Sequence, residues 1–465
     1  MMKLVAHCMC GILSSVAGVG SLIYMEDSHP ASDPPSTVLL QNVRVFDGKA
    51  PRLSSPTNVL IVGPVIKTIS SAGIEADGNA TRIDGGGRVL MPGLIDAHWH
   101  SMFLATTPLV GLTSDVGYLN LLAAAEANAT LMRGFTTVRD MGGPAFSLKR
   151  AIDEGVIPGP RIYPSGAMIT VTSGHGDFRQ MYEIPRAVGG PPARMEQIGA
   201  SAVADTPDEV RIRVREQLMQ GASQIKLTAG GGVASPHSPL DVSTFTLPEL
   251  RAAVEAAENW GTYVAVHAYT PRAIRTALDA GVKCIDHGHL ADEATAKLMA
   301  EKQVWWSLQP FLEEEGSNQF PEGSQEAAKK KEVAAGTDRA YALAKKYKIK
   351  TAWGTDILFS PKLAQAQGAM LARMVRWYTP AEALIMATGT NAQLLAMSGN
   401  RNPYPGKLGV VEEGALADLL LVDGDPLQDL QLLADPARTL VVIIKNGVIV
   451  KSSTGAVTPA NKKSP

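Results

Sequence analysis

Cysteine is scarce in this chain: three residues in 465. Cys8 and Cys10 fall in the N-terminal leader and Cys284 is the only thiol of the body, so no disulfide can form within it, and cysteine usage does not report the compartment. An excess of charge is missing too. With 43 basic and 45 acidic residues the formal net charge is −2, which leaves no basic footprint and argues against nucleic acid as a partner. A phosphate loop is excluded as well: Gly230-Gly231-Gly232 is not followed by Gly-Lys-Ser/Thr, and it reads as a flexible loop over a pocket.

What remains is ordinary globular composition, 45% hydrophobic and 19% charged, with 44 Gly and 30 Pro for tight connections. A mostly apolar, uncharged run from Leu4 to Tyr24 follows Lys3, and small residues lie near Val19-Gly20-Ser21. This pattern reads as a signal peptide or membrane leader over 1–25, with a polar, Pro-rich linker over 26–37. Export to the periplasm or medium follows if the leader is cleaved; if it is not, the run is long enough to anchor the chain in a membrane.

From Val38 the chain turns to short β-rich runs, for example Val43 to Phe46 and Asn58 to Val62, separated by Asp-Gly, Pro and Gly. A second such block, Ala417 to Val422 and Val441 to Val450, reads as the other half of the same small β-sandwich. Segments 38–92 and 401–452 then close one flanking domain around an insertion, and 453–465 is expected to be a disordered tail. Between 93 and 400 strand and helix alternate eight times, which makes the fold class α/β and the architecture a (β/α)8 barrel. Two helix starts carry a Thr with a Glu three residues on, Thr206 with Glu209 and Thr246 with Glu249.

Barrel chemistry belongs at the C-terminal strand ends. The first barrel strand, expected over Leu90 to Ala97, ends in His98 and His100, which on a strand point the same way. Lys226 lies on strand four, His267 and His287 end strands five and six, and Asp356 ends strand eight. Imidazoles with a carboxylate are what a Zn²⁺-like ion asks for. Lys226 has two readings: a lysine carbamate bridging two ions, or an ammonium paired with a carboxylate.

The motifs Pro92 to His100, Ile225-Lys226, Val266-His267-Ala268, Asp286-His287, Gly354-Thr355-Asp356 and Gly414 to Val422 resemble the binuclear branch of the amidohydrolase superfamily. The resemblance spans about residues 38 to 452. Within it, Ser173-Gly174-His175-Gly176-Asp177, Lys226 to Gly232 and the segment around Tyr269 are most similar to the ochratoxinase, Xaa-Pro dipeptidase and imidazolonepropionase-related group. The resemblance implies that His98, His100 and Asp356 hold one divalent ion and His267 and His287 a second, zinc in the first instance. Carboxylated Lys226 and a hydroxide would bridge them, with Asp356 as catalytic proton carrier. It also implies a homo-oligomer, with an octamer among the arrangements, acting on a small-molecule amide or dipeptide such as an N-acyl or N-aroyl amino acid.

His175 reads either as a partner of the carbonyl or tetrahedral oxygen or as a structural loop histidine. Tyr269, with Arg272, is a candidate for binding a substrate carboxylate, although Arg272 also reads as a first-turn helix residue paired with an acid. Trp305-Trp306 reads as packing before aromatic subsite, Arg139-Asp140 as a structural ion pair, and Lys329-Lys330-Lys331 as a solvated helix face. The competing functions are a deaminase, a cyclic amidase or lactonase of the same superfamily, and a non-catalytic scaffold. Mononuclear deaminases usually lack the strand-four lysine, and a scaffold would be expected to have lost ligands.

Overall fold

The computed structural model describes residues 36–184, 189–313 and 320–454, so the leader, most of the linker and residues 455–465 of the tail lie outside the described residues. The first barrel strand, Leu94–Trp99, is followed by Phe135–Asp140, then by a third strand in two pieces, Arg161–Pro164 and Met168–Thr170. The remaining five are Ile225–Thr228, Val264–Ala268, Cys284–His287, Trp305–Leu308 and Thr351–Trp353. Neighbours pair in parallel, as crossover helices require. The third strand breaks because Gly166 turns the chain at φ +74, where an added Cβ would meet Gln217 Oε1 at 2.3 Å. Its first piece pairs with Phe135–Asp140 and its second with Ile225–Thr228.

Side chains and turns close the ring between the last strand and the first. Asn391 Nδ2 donates to the carbonyls of Ile95 and Trp353, both at 2.8 Å, and Asp356 N donates to His98 O at 2.9 Å. The two helices with a Thr start begin where the sequence says they should. Thr206 Oγ1 accepts from Glu209 N at 3.2 Å, and Glu249 Oε2 accepts from Thr246 N at 2.7 Å. Glu209 departs from the expected box, since its carboxylate reaches Asp205 N instead of Thr206 N.

A flanking eight-stranded sheet joins both ends of the chain. Its path runs Val448–Ser452, Leu440–Lys445, Leu419–Val422, Val89–Pro92, Thr37–Val45, Thr57–Val62 and Val65–Ser70, with Thr81–Asp84 paired to Thr37–Val45. Leu420 lies opposite Met91 in the antiparallel pair that joins the two blocks. The single run expected from Leu90 to Ala97 is therefore two strands, and the chain passes from sheet to barrel at Gly93. Only glycine fits there, because a Cβ would come within 2.0 Å of Thr136 Oγ1.

Candidate metal centre

The strand ends converge on one cavity. His98 and His100 close the first strand with ring centroids 5.4 Å apart; the His287 ring is 4.8 Å from His98 and 4.4 Å from His267. Asp356 Oδ1 lies 3.1 Å from His100 Nε2 and 3.4 Å from His98 Nε2. His98, His287 and Asp356 offer three ligand atoms within 4.8 Å of one another. His287, assigned by resemblance to the second ion, thus shares this group with two residues assigned to the first.

Two of these residues sit in left-handed backbone, His287 at φ +74 and Asp356 at φ +51. A non-glycine residue there pays in backbone strain, which is kept where a side chain must be aimed. Trp306 Nε1 holds the His287 turn by donating to its carbonyl at 2.7 Å, while Thr355 fixes the turn at Asp356. Thr355 N and Oγ1 donate to the buried Asp96 carboxylate at 3.1 and 2.7 Å, and Gln367 Nε2 adds a bond at 3.0 Å.

Three of the four imidazoles have one nitrogen hydrogen-bonded to an oxygen outside the cluster. His100 Nδ1 meets Gly142 O at 3.0 Å, His267 Nε2 meets Gly231 O at 2.8 Å, and His287 Nδ1 meets Gln309 Oε1 at 2.7 Å. Oxygen acceptors of this kind fix the other nitrogen as a lone pair. The fourth, His98, has its Nδ1 3.3 Å from Asp286 Oδ1, outside hydrogen-bond geometry. Burial, with the Lys226 charge, lowers His98 to about 4, and burial holds His267 and His287 well below the usual imidazole range, so all three are neutral bases at pH 7. His100 is the exception: burial lowers it, but the Asp356 carboxylate outweighs burial and raises it. Neutral, oriented imidazoles beside one carboxylate fit a divalent cation. Replacing Gln309 by Leu should therefore weaken metal affinity about 10–100-fold, measured by competition with a chelating dye; unchanged affinity would show that His287 is oriented by something else.

Lys226 lines the cavity beside Asp286. Its Nζ lies 3.0 Å from Asp286 Oδ2, in a pair whose side chains are almost wholly buried. Asp286 also takes Arg139 Nη2 at 2.6 Å, and these cations outweigh burial and hold its carboxyl well below the usual range. The Arg139–Asp140 ion pair expected from sequence does not form. Asp140 instead accepts from Ser101 N at 2.7 Å and Gly142 N at 3.2 Å.

His175 and Tyr269 line the cavity, each packed on His267 with centroids 4.3 and 4.8 Å away. Arg272 does not reach it; the side chain is exposed on the Pro271–Ala280 helix, so a cation for a substrate carboxylate is not found where the sequence suggested. Two other cations do line the cavity, Lys330 and Arg373. The triple-lysine run is accordingly not a solvated face: Lys329 turns inward onto loop carbonyls, Lys330 faces the cavity and Lys331 is exposed. Spacing alone carried this signal, since Lys329 and Lys330 stand four and three residues before the buried Val333 on the same helix. Trp305 and Trp306 are buried and line no part of the cavity. Val233, Phe311, Val333, Leu358, Leu363 and Met370 form its apolar wall. Nor is the glycine loop a loose flap. A Cβ on Gly231 would meet Pro239 O at 1.6 Å, so the loop is packed tightly on itself.

A model of the amidohydrolase family matches residues 89–450. The chain belongs to the amidohydrolase family. Ochratoxinase of Aspergillus niger is 32% identical to it over 377 residues, 78% of this chain and 76% of that protein. A solved amidohydrolase aligns at TM-score 0.80 with 35% identity, covering 90% of this chain and 99% of the other. A prolidase complexed with N-methylphosphonate-L-proline aligns at 0.81 with 33% identity, covering 90% and 100%. A Xaa-Pro dipeptidase with methionine in its active site aligns at 0.77 with 30% identity and the same coverage. Family membership fits an amidohydrolase barrel with its ligand-type side chains at the C-terminal strand ends. Gln309, which orients the His287 imidazole, was not singled out by the sequence; Gly231 and Asp286 stood there only within a glycine run and a motif, without the roles of orienting His267 and facing His98 and Lys226.

Proposed function

We propose that this amidohydrolase cleaves an amide bond of dipeptides or N-acyl and N-aroyl amino acids, with two divalent metal ions, zinc in the first instance, bound at the cluster. The observation that carries this reading is the convergence of four imidazoles, three of them oriented by oxygen partners, with Lys226 and Asp356 on one cavity. The ions would be held by His98, His100, His267, His287 and Asp356, with Lys226 between them as a carbamate. When bound they would bring a water's pKa toward neutrality and polarise the amide carbonyl.

The chain's own groups do the rest. Asp356 is the only carboxylate among the described cavity residues, so it is the group placed to take the water's proton and pass it to the leaving nitrogen. His175, neutral because burial lowers it to about 3, is placed to hydrogen-bond the carbonyl oxygen as it gains charge. Tyr269 offers a phenol for the substrate carboxylate without Arg272. The apolar wall suits an aromatic or proline side chain, which agrees with the names of the relatives: an ochratoxinase, a prolidase and a Xaa-Pro dipeptidase. Carboxylating Lys226 would exchange the cation on Asp286 for an anion turned toward the metals. Export and a homo-oligomeric state complete the proposal; among the described residues no helix is long and apolar enough to cross a membrane.

The test is metal content per chain alongside hydrolysis of Xaa-Pro, Xaa-Phe and N-aroyl amino acids. Two ions with cleavage of some members is the expected result. The paired change His98→Ala with His100→Ala should remove bound metal and turnover together; turnover that survives it would sink the reading.

A further inference from the structure

Ser235 has a hydroxyl whose hydrogen bonds can be counted. It is fully buried, and its Oγ accepts from Gly176 N at 3.0 Å and lies 2.8 Å from His175 Nδ1. A serine hydroxyl has one proton to give and two lone pairs to offer. Among the described residues no other acceptor bonds this Oγ. If His175 donated from Nδ1, the hydroxyl proton would be buried without a partner, an arrangement that folded proteins avoid. If the hydroxyl donates to Nδ1, both groups are satisfied and the ring proton sits on Nε2.

The ring is held in this orientation from two sides. Gly232 passes so close that a Cβ there would lie 2.0 Å from Nδ1 and 2.2 Å from Cγ of His175, so the loop backbone covers that edge. The loop itself is fastened by Lys329, which donates to the carbonyls of Gly232 and Ser235 at 2.8 Å each and of Ser238 at 3.4 Å. Nε2 makes no hydrogen bond among the described residues, and His175 lines the cavity.

We infer that Ser235 is a positioning residue that fixes His175 as the tautomer with its proton on Nε2, and that Lys329 holds the Gly232–Ser238 loop so that Ser235 stays in place. The consequence is a preset donor aimed into the cavity. A hydroxyl that donates to Nδ1 leaves Nε2–H available to an oxygen that gains negative charge. The inference rests on the proposed reading of His175 as the partner of the substrate oxygen only for its kinetic consequence; the tautomer stands apart from it.

The full-length protein, ¹⁵N-labelled at histidine and prepared with and without Zn²⁺, reports the tautomer directly by ring-nitrogen NMR, with His175→Asn assigning the signal. A pyrrole-like Nε2 and a pyridine-like Nδ1 are expected, and a proton on Nδ1 would overturn the inference. Kinetically, Ser235→Ala should lower kcat about 10–100-fold with KM within about twofold, and Ser235→Thr, which keeps the hydroxyl, should restore most of it. Lys329→Met, which unfastens the loop but keeps the Ser235 hydroxyl, should lower kcat in the same direction. Unchanged kcat in Ser235→Ala, or no recovery with Thr, overturns the positioning role. If the tautomer is as inferred but His175→Asn leaves kcat unchanged, the catalytic use of His175 fails and the tautomer inference stands.

Discussion

An Asp356→Asn enzyme should lose about 10²–10⁴-fold in kcat, the range of a general acid–base group, with KM changed by no more than about threefold. Asparagine keeps the shape and one carbonyl oxygen, so it can still stand near His98 and His100, but it cannot carry a proton. Among the described residues the site leaves no substitute. Asp286, Asp140 and Asp96 are fully buried and committed to Arg139 and Lys226, to Ser101 and Gly142, and to Thr355 and Gln367. Of the described carboxylates at the cluster, Asp356 alone keeps an accessible side chain, 19% exposed, among the imidazoles. Its carboxyl is held below the usual range because the imidazoles and Lys226 outweigh the cost of burial, so it is ionised and ready to accept a proton at pH 7. Metal content must be measured with the rate. If the Asp356→Asn enzyme retains the metal and the rate, proton transfer belongs to another group; if both fall together, Asp356 is needed first as a ligand.

The strand ends of this site could be read from the sequence because period-two alternation and punctuation place them well. His98 and His100 share a face by strand geometry, and Val264–Ala268 and Trp305–Leu308 begin one residue into the β-rich runs Tyr263 to Ala268 and Val304 to Leu308 of the sequence. The rest was hidden for identifiable reasons. His287 and Asp356 turn through positive φ, so alternation cannot say where their side chains point. That turn is why Asp286 and His287, adjacent in sequence, both serve the cluster. Arg139 stands next to Asp140 in the chain, yet alternation sends the two to opposite sides of the strand, and the partner of Arg139 comes from a strand 147 residues away. Arg272 failed for the converse reason: a first-turn position does not fix which way a long side chain leaves the helix. The Lys329 contacts follow from helical phase, which sets it on the face of buried Val333, and not from the charge composition of the run.

Replacing Arg139 by Met should destabilise the fold by about 3–5 kcal/mol, the cost of leaving one partner of a buried ion pair. Arg139 is fully buried and ties together strands that are far apart in sequence. It donates to Ala97 O at 2.5 Å, Tyr263 Oη at 3.1 Å, Asp286 Oδ1 at 2.6 Å and Ser307 Oγ at 3.3 Å. Met fills much of the volume, so the loss isolates charge and hydrogen bonds from packing. Without Arg139 the Asp286 carboxylate keeps only Lys226 as a full cation, and a carbamate on Lys226 would take that away. The variant should therefore bind metal more weakly than the wild type, besides unfolding at lower denaturant. Urea midpoints with and without Zn²⁺, read beside an Asp286→Asn variant and the double change, measure both effects. A destabilisation under about 1 kcal/mol would mean that water or Lys226 satisfies Asp286 unaided. A metal affinity equal to wild type would mean that Arg139 acts on the fold and not on the metal site.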